Sequence, residues 1–86
     1  MEKAHLNEAN LIETDFTGSN LQSAKFIRAN LGSAKFNFAN LKKANFQDAI
    51  LTNANFKGAD ISEVNFKSAK DTKGTIFDAD SKDTNT

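Results

Sequence analysis

Residues 24–46 read AKFIR-ANLGS-AKFNF-ANLKK-ANF, and this stretch decides the fold because its pattern returns every five residues. Each unit opens with an alanine and carries a large apolar residue two positions later, which places Phe26, Leu31 and Phe36 at equal spacing. Short units repeated at a fixed period build stacked architectures rather than an ordinary globular core.

The same pattern covers most of the chain. All twelve alanines occupy one position of the five-residue unit, and the slot between the alanine and the large residue holds mostly Asn or Asp. The large slot is filled without a gap by Leu6, Leu11, Phe16, Leu21, Phe26, Leu31, Phe36, Leu41, Phe46, Leu51, Phe56, Ile61 and Phe66.

A period of five fits neither a helix nor a plain strand. Five residues advance about 500° on an α-helix, so the apolar stripe would wander around its surface. A strand alternates at period two. A chain that turns a corner after every unit satisfies the pattern, because each side then points its alanine and its large residue inward. The period therefore predicts a β-solenoid.

The number of sides follows from the alternation of Leu and Phe between Leu11 and Phe66, which Ile61 alone interrupts. A three-sided coil would stack Phe on Leu, and two sides would not enclose these side chains. A four-sided coil of twenty residues is the smallest one in which Phe stacks only on Phe and Leu only on Leu or Ile. The expected columns are Phe16/Phe36/Phe56, Phe26/Phe46/Phe66, Leu11/Leu31/Leu51 and Leu21/Leu41/Ile61.

The charges support the same twenty-residue coil. Residues 4–23 carry acids and no Lys or Arg, residues 24–43 carry five basic residues and no acid, and residues 44–63 are mainly acidic again. Opposite charges on neighbouring strands stabilise a sheet modestly. The expected stacks are Glu8/Arg28/Asp48, Asp15/Lys35 and Lys43/Glu63.

The unit Ala-(Asp/Asn)-(Leu/Phe)-x-x appears as Ala9-Asn10-Leu11, Ala29-Asn30-Leu31, Ala39-Asn40-Leu41, Ala44-Asn45-Phe46, Ala54-Asn55-Phe56 and Ala59-Asp60-Ile61. In this pattern, which covers residues 4–70, the chain resembles the pentapeptide-repeat family. The resemblance implies an all-β fold, a right-handed quadrilateral parallel β-helix, here of about 3–4 coils. The departures from the family pattern are single slots: Thr14, Ser19 and Val64 for Ala, and His5, Lys25, Lys35 and Ile50 for Asn or Asp.

The sequence divides into a solenoid over residues 1–70, a C-terminal cap or decayed repeat over 71–80, and a disordered tail over 81–86. The pattern fails at Asp71, where an apolar residue is due, and either Ile76 or, with a one-residue shift, Phe77 leads the cap. No matching cap precedes the first coil. An exposed solenoid end motivates the hypothesis of an end-to-end homodimer through the N-terminal coil.

Composition argues against several classes of function. The chain has no Cys, so it offers no disulfide and no thiolate metal site. No apolar run approaches about 18 residues and no signal peptide opens the chain, which predicts no membrane association and leaves the cytoplasm as the default compartment. A net charge of zero gives no drive toward nucleic acid.

Nothing in the sequence suggests catalysis or a cofactor. His5 is the single histidine and replaces a turn Asn, while Asp15 and Asp60 occupy repeat slots where turn hydrogen bonds explain them. The glycines are scattered and form no phosphate-binding loop. We therefore predict that the protein is not an enzyme and binds no metal or cofactor.

The candidate interaction surface consists of Phe38, Lys42, Lys43 and Arg28. Phe38 lies in an outward slot between Gly18 and Gly58 of the neighbouring coils, so its ring either packs over both glycines or anchors a partner. The basic residues either pair with acids on adjacent coils or bind phosphates, and pairing is the simpler interpretation.

These features favour a non-catalytic protein-interaction or structural scaffold module whose protein partner the sequence does not identify. One alternative, implied by the resemblance, is a DNA mimic that binds gyrase and confers quinolone resistance. Such mimicry requires a long acidic rod, whereas the net charge here is −3 over residues 1–20, +5 over 21–57 and −2 over 58–86. A further alternative is an excised or designed solenoid segment without its own activity.

Overall fold

The computed structural model describes residues 3–66 and 69–77. These residues form no extended strands; they pair along the solenoid as single-residue parallel β-bridges, one in each five-residue unit. Every bridge that has both of its residues between His5 and Asn65 joins residues that are twenty apart, as Asp15 and Lys35 are. The twenty-residue register expected from the alternation of Leu and Phe is therefore present.

The bridges define four sides, which we number in chain order. Side 1 contains His5, Lys25, Asn45 and Asn65; side 2 contains Asn10, Asn30, Ile50 and Asp71; side 3 contains Asp15, Lys35, Asn55 and Ile76; side 4 contains Asn20, Asn40 and Asp60. We call residues 4–23, 24–43 and 44–63 the first, second and third coils.

A two-residue corner joins each side to the next. At the corner after Leu31, the amide of Ala34 donates a hydrogen bond of 3.0 Å to the carbonyl oxygen of Leu31, which closes a β-turn. The second corner residue has a φ near +60°, as a type II turn requires. Gly18, Gly58 and Gly74 fill this position at three corners. Three of the four glycines, although scattered in the sequence, therefore adopt the same backbone conformation.

The remaining described corners hold non-glycine residues at the same positive φ. They are Lys3, Glu8, Glu13, Ser23, Arg28, Ser33, Phe38, Lys43, Asp48, Asn53 and Glu63. An L-residue in this region is disfavoured by roughly 1–2 kcal/mol because its Cβ approaches the following carbonyl. The hydrogen bonds that close the turns and those that join neighbouring coils must therefore offset this cost at every corner.

Phenylalanine rings from sides 1 and 3 fill the centre of the solenoid. Phe36 stacks on Phe56 with ring centroids 4.8 Å apart and planes 1° from parallel, and Phe26 stacks on Phe46 in the same way. Between the columns the rings meet edge to face, with Phe36 and Phe46 at 5.8 Å and 87°. The two expected phenylalanine columns are confirmed, and offset stacking and edge contacts are the favourable arrangements for aromatic pairs.

The register changes by one residue on side 2. Ile50 pairs with Asp71, twenty-one residues on, because Lys70 and Asp71 together oppose it. The Lys70 amide donates to the Ala49 carbonyl at 2.8 Å, while the Asp71 carbonyl accepts from the Leu51 amide at 2.7 Å. This arrangement is a β-bulge, which inserts one residue and leaves the ladder intact on either side.

The bulge decides between the two residues expected to lead the cap. Phe77 turns inward and stacks on Phe56 at 5.4 Å and 9°, so the column of Phe16, Phe36 and Phe56 gains a fourth ring. Ile76 takes the bridge slot and is 47% exposed. Residues 71–77 thus continue the ladder with a one-residue shift. Residues 78–80 of the expected cap and the expected tail at 81–86 lie outside the described residues.

Candidate interaction surface

The polar side chains of the bridge slots stabilise the corners. The Asn30 Oδ1 atom accepts a hydrogen bond of 3.2 Å from the amide of Gly32, and the Asn40 Oδ1 atom accepts one of 3.1 Å from Lys42. Asp15 accepts from both the amide and the hydroxyl of Thr17, at 2.9 and 2.5 Å. The turn role expected for these slots is confirmed, and it explains why Asn and Asp recur there.

These hydrogen bonds lower the pKa values of the carboxyl groups that accept them. The hydroxyl and then the amide of Thr17 lower the pKa of Asp15, and Lys35 beside it adds a smaller effect. Ser62 lowers the pKa of Asp60 through the same two groups, with a smaller contribution from Lys42. Each shift favours the charged carboxylate, which is the form that accepts these hydrogen bonds. The geometry gives these acids a structural role.

Metal-binding clusters of side chains are absent from the described part of the chain. Residues 3–66 and 69–77 contain no group of three or more His, Cys, Asp or Glu side chains arranged to hold a metal ion. Every fully buried side chain that the structure describes is apolar. Within the same ranges no helix is long and apolar enough to cross a membrane.

Arg28 forms an ion pair with an acidic residue of the neighbouring coil. Its Nη2 and Nε atoms each lie 3.0 Å from Oε2 of Glu8, on the coil below. This is the one ion pair within 4.0 Å among residues 3–66 and 69–77. The expected Glu8/Arg28 stack is confirmed, and Asp15 lies beside Lys35 as expected. Lys43 and Glu63 also occupy equivalent corners of adjacent coils, as expected, although their charged groups form no ion pair within 4.0 Å.

Phe38 is the most exposed large apolar residue that the structure describes, at 71%. A Cβ atom added to Gly58 would lie 2.5 Å from Cδ1 of Phe38, which shows that the ring covers this glycine. The same test at Gly18 finds no atom within 4 Å. The expectation that the ring covers both glycines is therefore wrong for Gly18, because the side chain leans toward the third coil.

The structure separates the four candidate residues by corner. Phe38 is at the corner between sides 3 and 4, and Lys42 and Lys43 are at the corner between sides 4 and 1, so all three border side 4. Arg28 is at the corner between sides 1 and 2, diagonally across the coil from Phe38. The structure therefore groups Phe38 with the two lysines and leaves Arg28 apart.

Sequence reasoning missed Lys57 as a neighbour of this group. Lys57 is at the same corner as Phe38 one coil further on, and its carbonyl oxygen accepts a hydrogen bond of 3.2 Å from the Phe38 amide. The signal was present in the sequence, since Lys57 stands twenty residues after Asn37 and next to Gly58. We call Phe38, Lys42, Lys43 and Lys57 the side-4 surface.

Comparison with known proteins places this geometry among repeat proteins. A family model described as "Pentapeptide repeat region" matches residues 1–70. No curated protein matches the chain. Among solved structures, a pentapeptide repeat protein from the thylakoid lumen of Arabidopsis thaliana is 30% identical, with a TM-score of 0.73. The match covers 90% of this chain and 57% of that one.

Two cyanobacterial structures also match. A pentapeptide repeat protein from Cyanothece 51142 is 26% identical with a TM-score of 0.41, and the match covers 99% of this chain and 60% of that one. HetL from Nostoc sp. strain PCC 7120, described as involved in heterocyst differentiation regulation, is 20% identical with a TM-score of 0.38. Its match covers 88% of this chain and 46% of that one. The chain thus spans between about half and three fifths of the length of these structures.

Proposed function

The chain belongs to the pentapeptide-repeat family, whose solved members are right-handed β-helix solenoids, and we propose that it acts as a non-catalytic protein-interaction module. We further infer a quadrilateral cross-section with about 3–4 coils, because four corners complete each twenty-residue circuit. The partner we propose is another protein, bound on the outer surface.

One observation carries this proposal: apolar residues occupy every buried position that the structure describes, while polar side chains serve the corners. Catalysis depends on polar groups that converge in a concave site. A solenoid packed with Ala, Leu and Phe offers a rigid outer surface instead, on which side chains stand in columns at the spacing of the coils. Such surfaces suit protein binding, since little order is lost when the partner binds.

The DNA-mimic alternative receives no support from the charge arrangement. Imitating duplex DNA requires acids that remain uncompensated along one face of a rod. Here Arg28 pairs with Glu8, and Lys35 lies next to Asp15 on side 3. A gyrase supercoiling assay tests this alternative, and neither inhibition of gyrase nor protection from quinolones is expected.

Photo-crosslinking in extract of the source cell tests the proposed function. A photoreactive phenylalanine at position 12, 33, 38 or 53 samples exposed corner positions without entering the core. We expect one or more positions to capture a specific protein that an excess of unlabelled chain displaces. The matched control is a heat-unfolded bait. Capture of the same proteins by folded and unfolded bait, or no capture at all four positions, would contradict the proposal.

The end-to-end homodimer stays a separate prediction. Leu6 and Leu11 of the first coil are only partly buried, and Ile12 is 50% exposed. Light scattering after size-exclusion chromatography tests it directly. A dimer mass at high concentration would support association, whereas a monomer mass throughout would contradict it.

A further inference from the structure

Phe38 is the only apolar residue among the described residues with positive φ at the corners. The corresponding positions one coil before and one coil after it are Gly18 and Gly58, the residue type that suits this backbone best. The fold therefore does not require an aromatic side chain here. An exposed aromatic side chain that the fold does not need is a candidate anchor for a partner.

The ring covers Gly58 and leaves Gly18 uncovered. A Cβ atom at Gly58 would be 2.5–3.3 Å from Cδ1, Cε1 and Cγ of Phe38. A Cβ atom at Gly18 would have no atom within 4 Å apart from those of its own chain neighbours. The corner thus has a step, with the exposed ring as its wall and the bare backbone of Gly18 as its floor. An apolar side chain of a partner fits such a step.

The positive charge around this step is only partly neutralised. Lys42 is close to an acid, because the amide of its neighbour Leu41 donates a hydrogen bond of 2.9 Å to the carbonyl oxygen of Asp60. Glu63 lies at the corner of Lys43 one coil further on, but neither Lys43 nor Lys57 forms an ion pair within 4.0 Å among residues 3–66 and 69–77. Lys57 is at the corner of Phe38, and Lys43 is one side away on the same coil. On the first coil, side 4 and its following corner offer only Asn20, Gln22 and Ser23, which carry no charge.

We propose that the side-4 surface binds an extended acidic segment of a partner protein, with one apolar side chain of that segment seated against Phe38 in the step above Gly18. Carboxylates on either side of the apolar residue reach Lys57 at the same corner and Lys43 at the next corner. An extended chain advances about 3.3 Å per residue, so a short segment of the partner spans one side of the coil. This inference rests on the proposed function and names the site and the partner's chemistry.

A titration with synthetic peptides tests the site. The probe is the capped hexapeptide Asp-Glu-Leu-Phe-Asp-Glu, added to the ¹⁵N-labelled full chain and followed by amide chemical shifts. We expect saturable shifts at Gly18, Phe38 and Lys43 that weaken as salt is raised. Two control peptides replace the acids with Lys, or the Leu-Phe pair with Gly-Gly. Each control is expected to bind at least about tenfold more weakly.

Two variants test the protein side. Phe38→Gly restores the residue of the neighbouring coils, so it is expected to fold normally while losing about tenfold in peptide affinity. The charge variant Lys43→Glu/Lys57→Glu is expected to lose at least as much. The matched control, Lys25→Glu on side 1, is expected to bind as the wild type does. Circular dichroism and thermal melting establish that each variant is folded.

Three results would overturn the inference: no shifts at peptide concentrations of about 2 mM, equal shifts with the lysine peptide, or shifts centred on sides 1 and 2. Concentration-dependent shifts at side 4 without any peptide would overturn it too, since they would assign this surface to self-association. The proposed function is judged separately. A specific partner crosslinked at position 12 or 53 but not 38 would uphold the interaction module and refute this site.

Discussion

The second coil and the residues after 63 both contribute phenylalanine rings to the core but bury them to different extents. Phe26 and Phe36 are completely inaccessible, whereas Phe66 is 5% exposed and Phe77 is only half-buried. The stacking loosens in parallel. Ring centroids are 4.8 Å apart at 1° between Phe36 and Phe56, but 5.4 Å apart at 9° between Phe56 and Phe77.

The difference shows what a coil needs in order to close. The second coil fills all of its large slots and has another coil on each side. After residue 66 the bulge at Lys70 and Asp71 brings Thr72 into the slot above Leu51, so one column loses its apolar residue. The aromatic column nevertheless continues to Phe77. The position of the large side chains, and not a fixed residue count, therefore sets the register at this end.

The largest expected effect separates the centre of the aromatic column from its end. Phe36→Ala removes a fully buried ring and should lower the free energy of unfolding by about 3–5 kcal/mol. Phe77→Ala removes a half-buried ring and should cost about 1–2 kcal/mol. Urea unfolding followed by circular dichroism measures both. Equal losses would show that the two ends of the column are packed alike.

The next effect concerns two glycines with the same backbone conformation. Alanine at either Gly18 or Gly58 meets a positive φ, which should cost about 1 kcal/mol. At Gly58 the added Cβ also meets the Phe38 ring, so this variant should lose about 1 kcal/mol more. Adding Phe38→Gly should remove the difference, and a double-mutant cycle measures the coupling. A coupling near zero would contradict the packing of the ring on Gly58.

Thr72→Leu restores an apolar residue to the column that ends at Leu51. A leucine above Leu51 extends that column and should raise the free energy of unfolding by about 1 kcal/mol. The control Lys73→Leu adds an apolar side chain at the adjoining corner, outside the column, and should give no gain. If both variants stabilise equally, the effect is general hydrophobicity and the slot assigned to Thr72 is wrong.

The smallest expected effect is the dependence of the protein's stability on pH. Asp15 and Asp60 have pKa values lowered from the ordinary 3.8, so their stabilisation is complete above that value and is lost as the pH falls below about 4. Asn at both positions keeps an acceptor for the turn but cannot titrate. We expect Asp15→Asn/Asp60→Asn to flatten the decline of the melting temperature between about pH 5 and 2. Asp48→Asn, at a corner, is the matched control for lost charge.

The columns were predictable because alternating Leu and Phe stack like on like for only one small coil length. The choice between Ile76 and Phe77 was not, because Asp71 and Thr72 supply no apolar signal to fix the phase after a one-residue insertion. The positive φ of the corners also escaped prediction. Charged, polar, aromatic and glycine residues all occur there, so residue type alone does not mark the position.

The candidate surface was predicted in part for the same physical reasons. The twenty-residue register placed Phe38 between two glycines, and its exposure is confirmed. Which glycine the ring covers depends on a side-chain rotamer, which spacing does not determine. The separation of Arg28 from Phe38 follows from assigning corners to sides, and that step needs the bridge partners.

The central claim is that residues twenty apart lie next to each other on one side of the solenoid. The chain contains no cysteine, so two can be introduced without competing thiols. Residues on adjacent coils are about 4.8 Å apart, within the range of disulfide bonds. We predict that the variant Lys35→Cys/Asn55→Cys forms an intramolecular disulfide under mild oxidation and that Lys35→Cys/Ile50→Cys does not. The opposite result would mean a fifteen-residue coil and would contradict the fold described above.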